Sequence, residues 1–378
     1  MQQVSKEELV LSFLRKKQKM AKTPPEKRVY QCMESSIQKW GYKDPLIAPL
    51  KVTYEITQAC NLHCMHCSSR ADTEAEDELS TQEAKKIIDQ LNDMKVPVLG
   101  FSGGEPFLRE DLFELMQYSL SKGMLVNVAT NGLLMDEEKA YTLKKMGVYR
   151  VQVSLDGPEP IHERIRRRKG SFQKTVEGIK CMVQAGLNVV VTPTITHINY
   201  SEVPQLLEMA CELGVDSFSI NDLVPVGRGK EIEVLAVSQN HYNALNEFFI
   251  QERKRKKGAI SLKWAAVSPG NVKISKGPIR MSKCRAAYTM FNISWDAYME
   301  PCNLLHVKAG NLRESSIEDV LLTSPLFLKL RNRNNLEGMC GLCFYKWYCG
   351  GCRARAYGYT GSYMNADPRC PGIGGLTS

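Results

Sequence analysis

The chain has 378 residues, 43% of them hydrophobic and 24% charged, which excludes a disordered or collagen-like polymer and leaves room for two domains or one large core with an appendage. The 50 basic and 41 acidic residues give a formal charge of +9. The basic runs at Arg15-Lys16-Lys17, Arg164 to Lys169 and Arg253 to Lys257 are flanked by amphipathic sequence rather than aromatic platforms, so they read as solvated faces and argue against a nucleic-acid partner. No run of about 18 apolar residues could span a membrane and the N-terminus lacks a cleavable apolar core, so a cytoplasmic protein is expected. The anomaly is 13 cysteines. In a reducing compartment, clustered thiols point to metal rather than to disulfides.

Residues 1–49 read as a helical lead-in: Lys6 to Met20, a break at Pro24-Pro25, then Glu26 to Lys39. From Lys51 apolar, β-branched runs alternate with amphipathic stretches. Strands are predicted at Val52 to Thr57, Val96 to Phe101, Leu125 to Thr130, Tyr149 to Leu155, Leu187 to Ile195 and Phe218 to Leu223. Helices are predicted at Thr81 to Met94, Glu110 to Lys122, Glu137 to Met146, Phe172 to Ala185 and Ser201 to Leu213. The alternation predicts an α/β fold, a partial (β/α)6 TIM-like barrel over residues 50–258 with the helices outside. Such continuous apolar runs predict strands buried on both faces, with functional groups on the loops after their C-termini. After a helix over Ser238 to Lys257 the periodicity ends. Residues 259–378 read as a small cysteine-rich C-terminal cluster-binding domain whose folding draws on bound metal.

Cys60, Cys64 and Cys67 follow the first strand as a C-x3-C-x2-C triplet. Three thiolates can hold three irons of a [4Fe–4S] cubane and leave the fourth open to chelation by an amine and a carboxylate. The competing zinc site, completed by His63 and His66, fits less well because structural zinc prefers paired C-x2-C knuckles. In the C-terminal part, Cys340-x2-Cys343-x5-Cys349-x2-Cys352 alone would suit a zinc ribbon as well as a cluster. With Cys284, Cys302 and Cys370 the set numbers seven, too few for two four-thiolate zinc sites. Glu55, Asp156 and Asp222 stand at strand positions that could face the barrel.

These motifs resemble the radical S-adenosylmethionine (SAM) superfamily with a C-terminal SPASM extension. Besides the triplet, the resemblance rests on Ser102-Gly103-Gly104-Glu105-Pro106 after the second strand, Thr130-Asn131-Gly132 after the third, Ser154-Leu155-Asp156-Gly157 after the fourth, and Val224 to Gly229 after the last. It implies that the Cys60/Cys64/Cys67 cluster binds SAM and cleaves it reductively to a 5′-deoxyadenosyl radical that abstracts substrate hydrogen. It further implies SAM contacts from Gly103, Gly104, Glu105, Pro106, Thr130, Asn131, Ser154, Asp156 and Arg166. Arg164, Arg167 and Arg168 compete with Arg166 for that role, and Asp156 also suits a plain turn before Gly157. Two auxiliary [4Fe–4S] clusters are implied, one on Cys284, Cys302 and Cys352, the other on Cys340, Cys343, Cys349 and Cys370. Ala297 stands where the family has a glycine, five residues before Cys302. Cys32, Cys181 and Cys211 read as packing residues.

For the substrate, the resemblance implies a peptide or protein side chain that is crosslinked or oxidised, a separate leader-recognition protein, and flavodoxin or ferredoxin as reducing partner. The stretch from Cys340 to Pro371 also resembles tetrapyrrole enzymes that oxidise or decarboxylate propionate side chains in haem biosynthesis. A non-catalytic zinc module or electron carrier is the alternative of a different class.

Overall fold

The computed structural model describes residues 5–256, 258–264 and 283–370. Seven parallel segments open the sheet: β1 (Lys51–Glu55), β2 (Val98–Ser102), β3 (Leu125–Thr130), β4 (Arg150–Val153), β5 (Val189–Val191), β6 (Thr194–Ile195) and β7 (Ser217–Asp222), with β8 (Ser261–Trp264) parallel to β7. The crossovers carry α3 (Thr81–Asp93), α4 (Leu112–Ser121), α5 (Glu137–Met146), α6 (Glu159–Arg166), α7 (Ser171–Gln184), α8 (Val203–Glu212) and α9 (Gln239–Arg255), after a lead-in of α1 (Lys6–Met20) and α2 (Pro24–Trp40). Local signals set these ends. Ser80 and Glu83 form a capping box at α3, and Asp136 caps α5, which Gly147 terminates in a left-handed conformation.

The strands are not buried on both faces as their apolar runs suggest. Val52, Tyr54, Leu99, Phe101, Val126, Val128, Val151, Val153, Phe218 and Ile220 pack outward against the helices. The inward positions carry Lys51, Glu55, Ser102, Ala129, Gln152, Ser154, Thr192, Ser219 and Asn221, and these line a cavity. An ordinary (β/α)8 barrel fills that space with branched apolar side chains. Here the period-2 alternation gives most strands an apolar outer face and an inner face of polar or small residues, β5 with its three valines excepted.

Two expected elements also differ. The run Leu187 to Ile195 is divided into β5 and β6, both paired with β7, because Pro193 has no N–H to give to the ladder. The helix α6, which is not among the predicted helices, starts after Pro158 and runs into the basic stretch at Arg164.

The chain then returns to the sheet. β9 (Met290–Ile293) runs parallel to β1, pairing Lys51 with Met290, and β10 (Tyr298–Glu300) and β11 (Gly310–Asn311) continue antiparallel beyond it. Strands of two to four residues leave no periodic signal in a sequence. Ala297, in the β9–β10 turn, has φ = 70°, the left-handed region that a glycine would occupy without strain. Four short helices follow: α10 (Ile317–Thr323), α11 (Pro325–Arg331), α12 (Gly338–Leu342) and α13 (Arg353–Thr360). The α1–α2 hairpin has its own small core around Val10, Leu14, Cys32 and Ile37. Arg28 ties it to the barrel by donating to Val96 O, Lys122 O and Asn92 Oδ1.

Candidate active site

The triplet loop after β1 is held from several sides. Cys60 N–H donates to Asp72 O (2.8 Å), Met65 N–H to Ile165 O (2.9 Å), and Arg228 N–H to Cys67 O (2.9 Å). The Arg228 guanidinium donates to Cys64 O and Ala71 O, both at 2.9 Å. The loop after β2 closes onto the same backbone: Gly104 N–H donates to Thr57 O (2.8 Å) and Glu105 N–H to Ala59 O (2.7 Å). A Cβ on Gly104 would sit 2.0 Å from Ala59 O, and one on Gly103, at φ = 137°, would sit 2.5 Å from Thr57 O. Both glycines are therefore required by the approach of one loop to the other.

Glu105 is fully buried. Its Oε1 accepts from Thr130 Oγ1 (2.8 Å) and Phe107 N–H (3.2 Å), and its Oε2 from Asn131 N–H (2.8 Å). Burial pushes its carboxyl up to about 7 against these hydrogen bonds. Asp156, also fully buried, pairs through Oδ2 with Arg166 Nε at 2.6 Å and accepts Thr194 N–H on Oδ1 at 2.9 Å. Burial opposes both charges of this pair, and their attraction outweighs it, keeping the carboxyl below and the guanidinium above their ordinary values. Arg166 also directs an N–H at Cys64 Sγ (3.5 Å). Among the arginines of its run it alone is buried, while Arg164, Arg167 and Arg168 are exposed. Burial brings neighbouring His66 down to about 4, so its ring is neutral.

One cavity of about 880 Å³ joins these parts. Gly103, Gly104, Thr130, Asn131, Ser154 and Arg166 line it together with Cys60, Cys64 and Cys67, whereas Glu105, Pro106 and Asp156 stand behind the wall. The opposite wall is built from Cys284, Cys302 and Cys352. Burial, then the neighbouring Cys352 and Cys284, pushes the Cys302 thiol up. Burial, then Cys340, Cys284 and Cys370, does the same to Cys349. Cys284 thus adjoins both groups, and its N–H donates to Cys349 O at 3.2 Å. Gly350 and Gly351, at φ = 68° and 59°, turn the chain between Cys349 and Cys352. Arg228, Gln152, Asn221 and Lys51 also line the cavity; Arg228 lies in the Val224 to Gly229 motif, and the other three are marked only by their inward strand register.

A further buried set lies on the β1–β9 side. Glu55, Glu300 and His306 bring their donor atoms within 4.8 Å of one another. Burial pushes Glu55 up to about 7; burial of His306 is outweighed by Glu300 and Glu55, which raise it to about 9.

Known proteins match this arrangement along most of its length. A radical SAM superfamily profile matches residues 54–210, and the SPASM iron–sulfur cluster-binding domain matches residues 284–344. The AdoMet-dependent heme synthase of Methanosarcina barkeri is 35% identical over 341 residues, covering 85% of this chain and 96% of that protein. The chain belongs to the radical SAM superfamily. This radical SAM enzyme is also 30% identical over 331 residues to the mycofactocin maturase MftC of Mycobacterium tuberculosis, covering 86% of the one and 83% of the other. Its fold is that of Streptococcus suis SuiB bound to S-adenosylmethionine, with a TM-score of 0.73 at 17% identity, over 98% of this chain and 93% of that one.

Its cofactors are SAM and [4Fe–4S] clusters. The donor set fits them. All 13 cysteines are free. Tetrahedral zinc–thiolate bonds of about 2.3 Å would bring sulfurs within roughly 3.8 Å of each other. Among the described residues no three cysteine sulfurs gather even within 4.8 Å of one another, as the donor atoms of Glu55, Glu300 and His306 do. Burial pushes the Cys60 thiol up to about 12, so it becomes a thiolate ligand only beside a compensating cation.

Proposed function

We propose that this radical SAM enzyme acts on the propionate side chains of a tetrapyrrole, removing a hydrogen atom and then carbon dioxide. The observation that carries this reading is the continuous hollow cavity of about 880 Å³ that connects the triplet loop with the C-terminal cysteines. The whole-length likeness to a heme synthase supports it. Bound SAM and the clusters supply a 5′-deoxyadenosyl radical and a site for the electron released on decarboxylation. The chain positions and shields. Cys60, Cys64 and Cys67 hold the SAM cluster; Gly103, Gly104, Thr130, Asn131, Ser154 and Arg166 contact SAM; Glu105, Pro106 and Asp156 fix the loops that do so. Cys284, Cys302 and Cys352 hold one auxiliary cluster, and Cys340, Cys343, Cys349 and Cys370 the other. An acidic flavodoxin or ferredoxin, suited to the +9 charge, is the reducing partner.

The test is anaerobic incubation of the reconstituted enzyme with SAM, reductant and iron coproporphyrin III. The reading predicts 5′-deoxyadenosine together with loss of carbon dioxide from the porphyrin. An unchanged porphyrin overturns it. A peptide substrate is the second reading, supported by the likeness to a mycofactocin maturase; it predicts that a small precursor peptide, and no porphyrin, changes mass.

A further inference from the structure

We infer that Lys51 and Arg285 form a carboxylate-binding subsite at the end of the cavity made by the strand N-termini, remote from the triplet loop. This deepens the tetrapyrrole reading and rests on it.

Four observations converge. Lys51 is the first residue of β1 and faces the lumen, in register with Met290 of β9, and Arg285 enters from the turn just before β9. Both line the cavity, with Lys283 beside them. Among the described residues neither Lys51 nor Arg285 makes a side-chain hydrogen bond or ion pair, although most basic side chains near the cavity, such as Arg166, Arg228 and Arg355, are fully engaged. On β4, Arg150 has a buried Nε without a hydrogen-bond partner. Burial, Arg285 and Arg150 together lower the pKa of Lys51, as expected where cations crowd without a counter-ion.

Among the described residues little neutralises this corner. Glu55, the nearest acidic lumen residue along β1, is engaged with Ser69 and faces His306 and Glu300. An arginine fork and an ammonium meeting in one wall suit a pair of carboxylates, the fork taking one in bidentate fashion and the lysine the other. A substrate held there presents its opposite edge to the triplet loop, so the subsite selects which side chain meets the radical.

The experiment is equilibrium binding to the cluster-loaded enzyme, followed by the shift of the porphyrin absorption band. Iron coproporphyrin III, a tetracarboxylate, is compared with iron mesoporphyrin, a dicarboxylate, for the native enzyme, Lys51→Met, Arg285→Gln and the double variant. Iron content and substrate-free SAM cleavage serve as controls. Each single variant is expected to weaken the tetracarboxylate by about tenfold, and the double variant to lose the preference over the dicarboxylate. Arg285 is exposed, so its variant carries the test even if Lys51→Met folds poorly. Equal affinities in native and variant enzymes with intact clusters overturn the subsite and leave the tetrapyrrole reading standing. Failure of iron coproporphyrin III to bind the native enzyme overturns both.

Discussion

The Cys60–Cys67 loop hangs from strand ends that fold without it, whereas the segment from Gly338 to Cys370 encloses arginines where a domain would have an apolar centre. Around the triplet, Arg228, Gly104 and Glu105 bond to loop carbonyls from elements already fixed by the barrel core. In the C-terminal segment Arg353 and Arg355 are themselves buried, while Leu342 and Phe344 are each 84% exposed. Arg353 donates to Tyr363 O, Asn365 O and Cys340 Sγ, and Arg355 joins Asp222 on β7 to Asp367. A stretch with so little apolar surface to bury depends on its ligated metal for folding energy. The contrast predicts that one cysteine set is preorganised by the fold and that the other is organised by its clusters.

Removing iron should break this contrast most visibly. Amides between Cys340 and Cys370 are expected to exchange hydrogen at least about 100-fold faster in the apoprotein while β1 to β4 stay protected, as hydrogen exchange by mass spectrometry would reveal. Next in size, Asp367→Ala removes the carboxylate that accepts from Arg355 Nε and Nη2 and from Cys352 N–H. It should cost about 3–5 kcal/mol in denaturant unfolding and lower the iron content. Gly104→Ala forces a Cβ to 2.0 Å from Ala59 O. A loss of about 2–4 kcal/mol and of calorimetrically measured SAM binding is expected, because backbone rather than a flexible side chain must move.

The pH dependence sharpens the comparison from the barrel side. Burial raises the Glu55 carboxyl from 4.5 to about 7, so folding takes up a proton between those values. Its contribution is fully present below pH 4.5 and is lost as pH rises through about 7, and Glu55→Gln should flatten that part of a thermal-stability profile. The smallest effect is Ala297→Gly, which relieves a left-handed alanine and should stabilise by about 0.5–1 kcal/mol in the same assay.

Much of this was legible because the chemistry is dense in the chain. The triplet, the Gly103-Gly104 pair and the barrel helices each carry local signals that folding does not override. The polar lumen was harder to read: in Leu125 to Thr130 the alternation is present, but a single Asn among small and apolar residues looks like a continuous buried run. Glu105 and Asp156 sit in site motifs yet turn away from the cavity, and only the folded loops reveal that they serve Thr130, Asn131 and Arg166. The strands β9 to β11 are too short for any period to register. Lys51 and Arg285 are ordinary basic residues until the β1–β9 pairing brings them together.

The most direct test of the account is the metal and product analysis of the anaerobically reconstituted protein. It predicts about twelve irons per chain, and 5′-deoxyadenosine from SAM on reduction by the native protein but not by Cys64→Ala, which should keep the irons of the C-terminal clusters. One or two zinc ions in place of iron, with no 5′-deoxyadenosine formed, would contradict it.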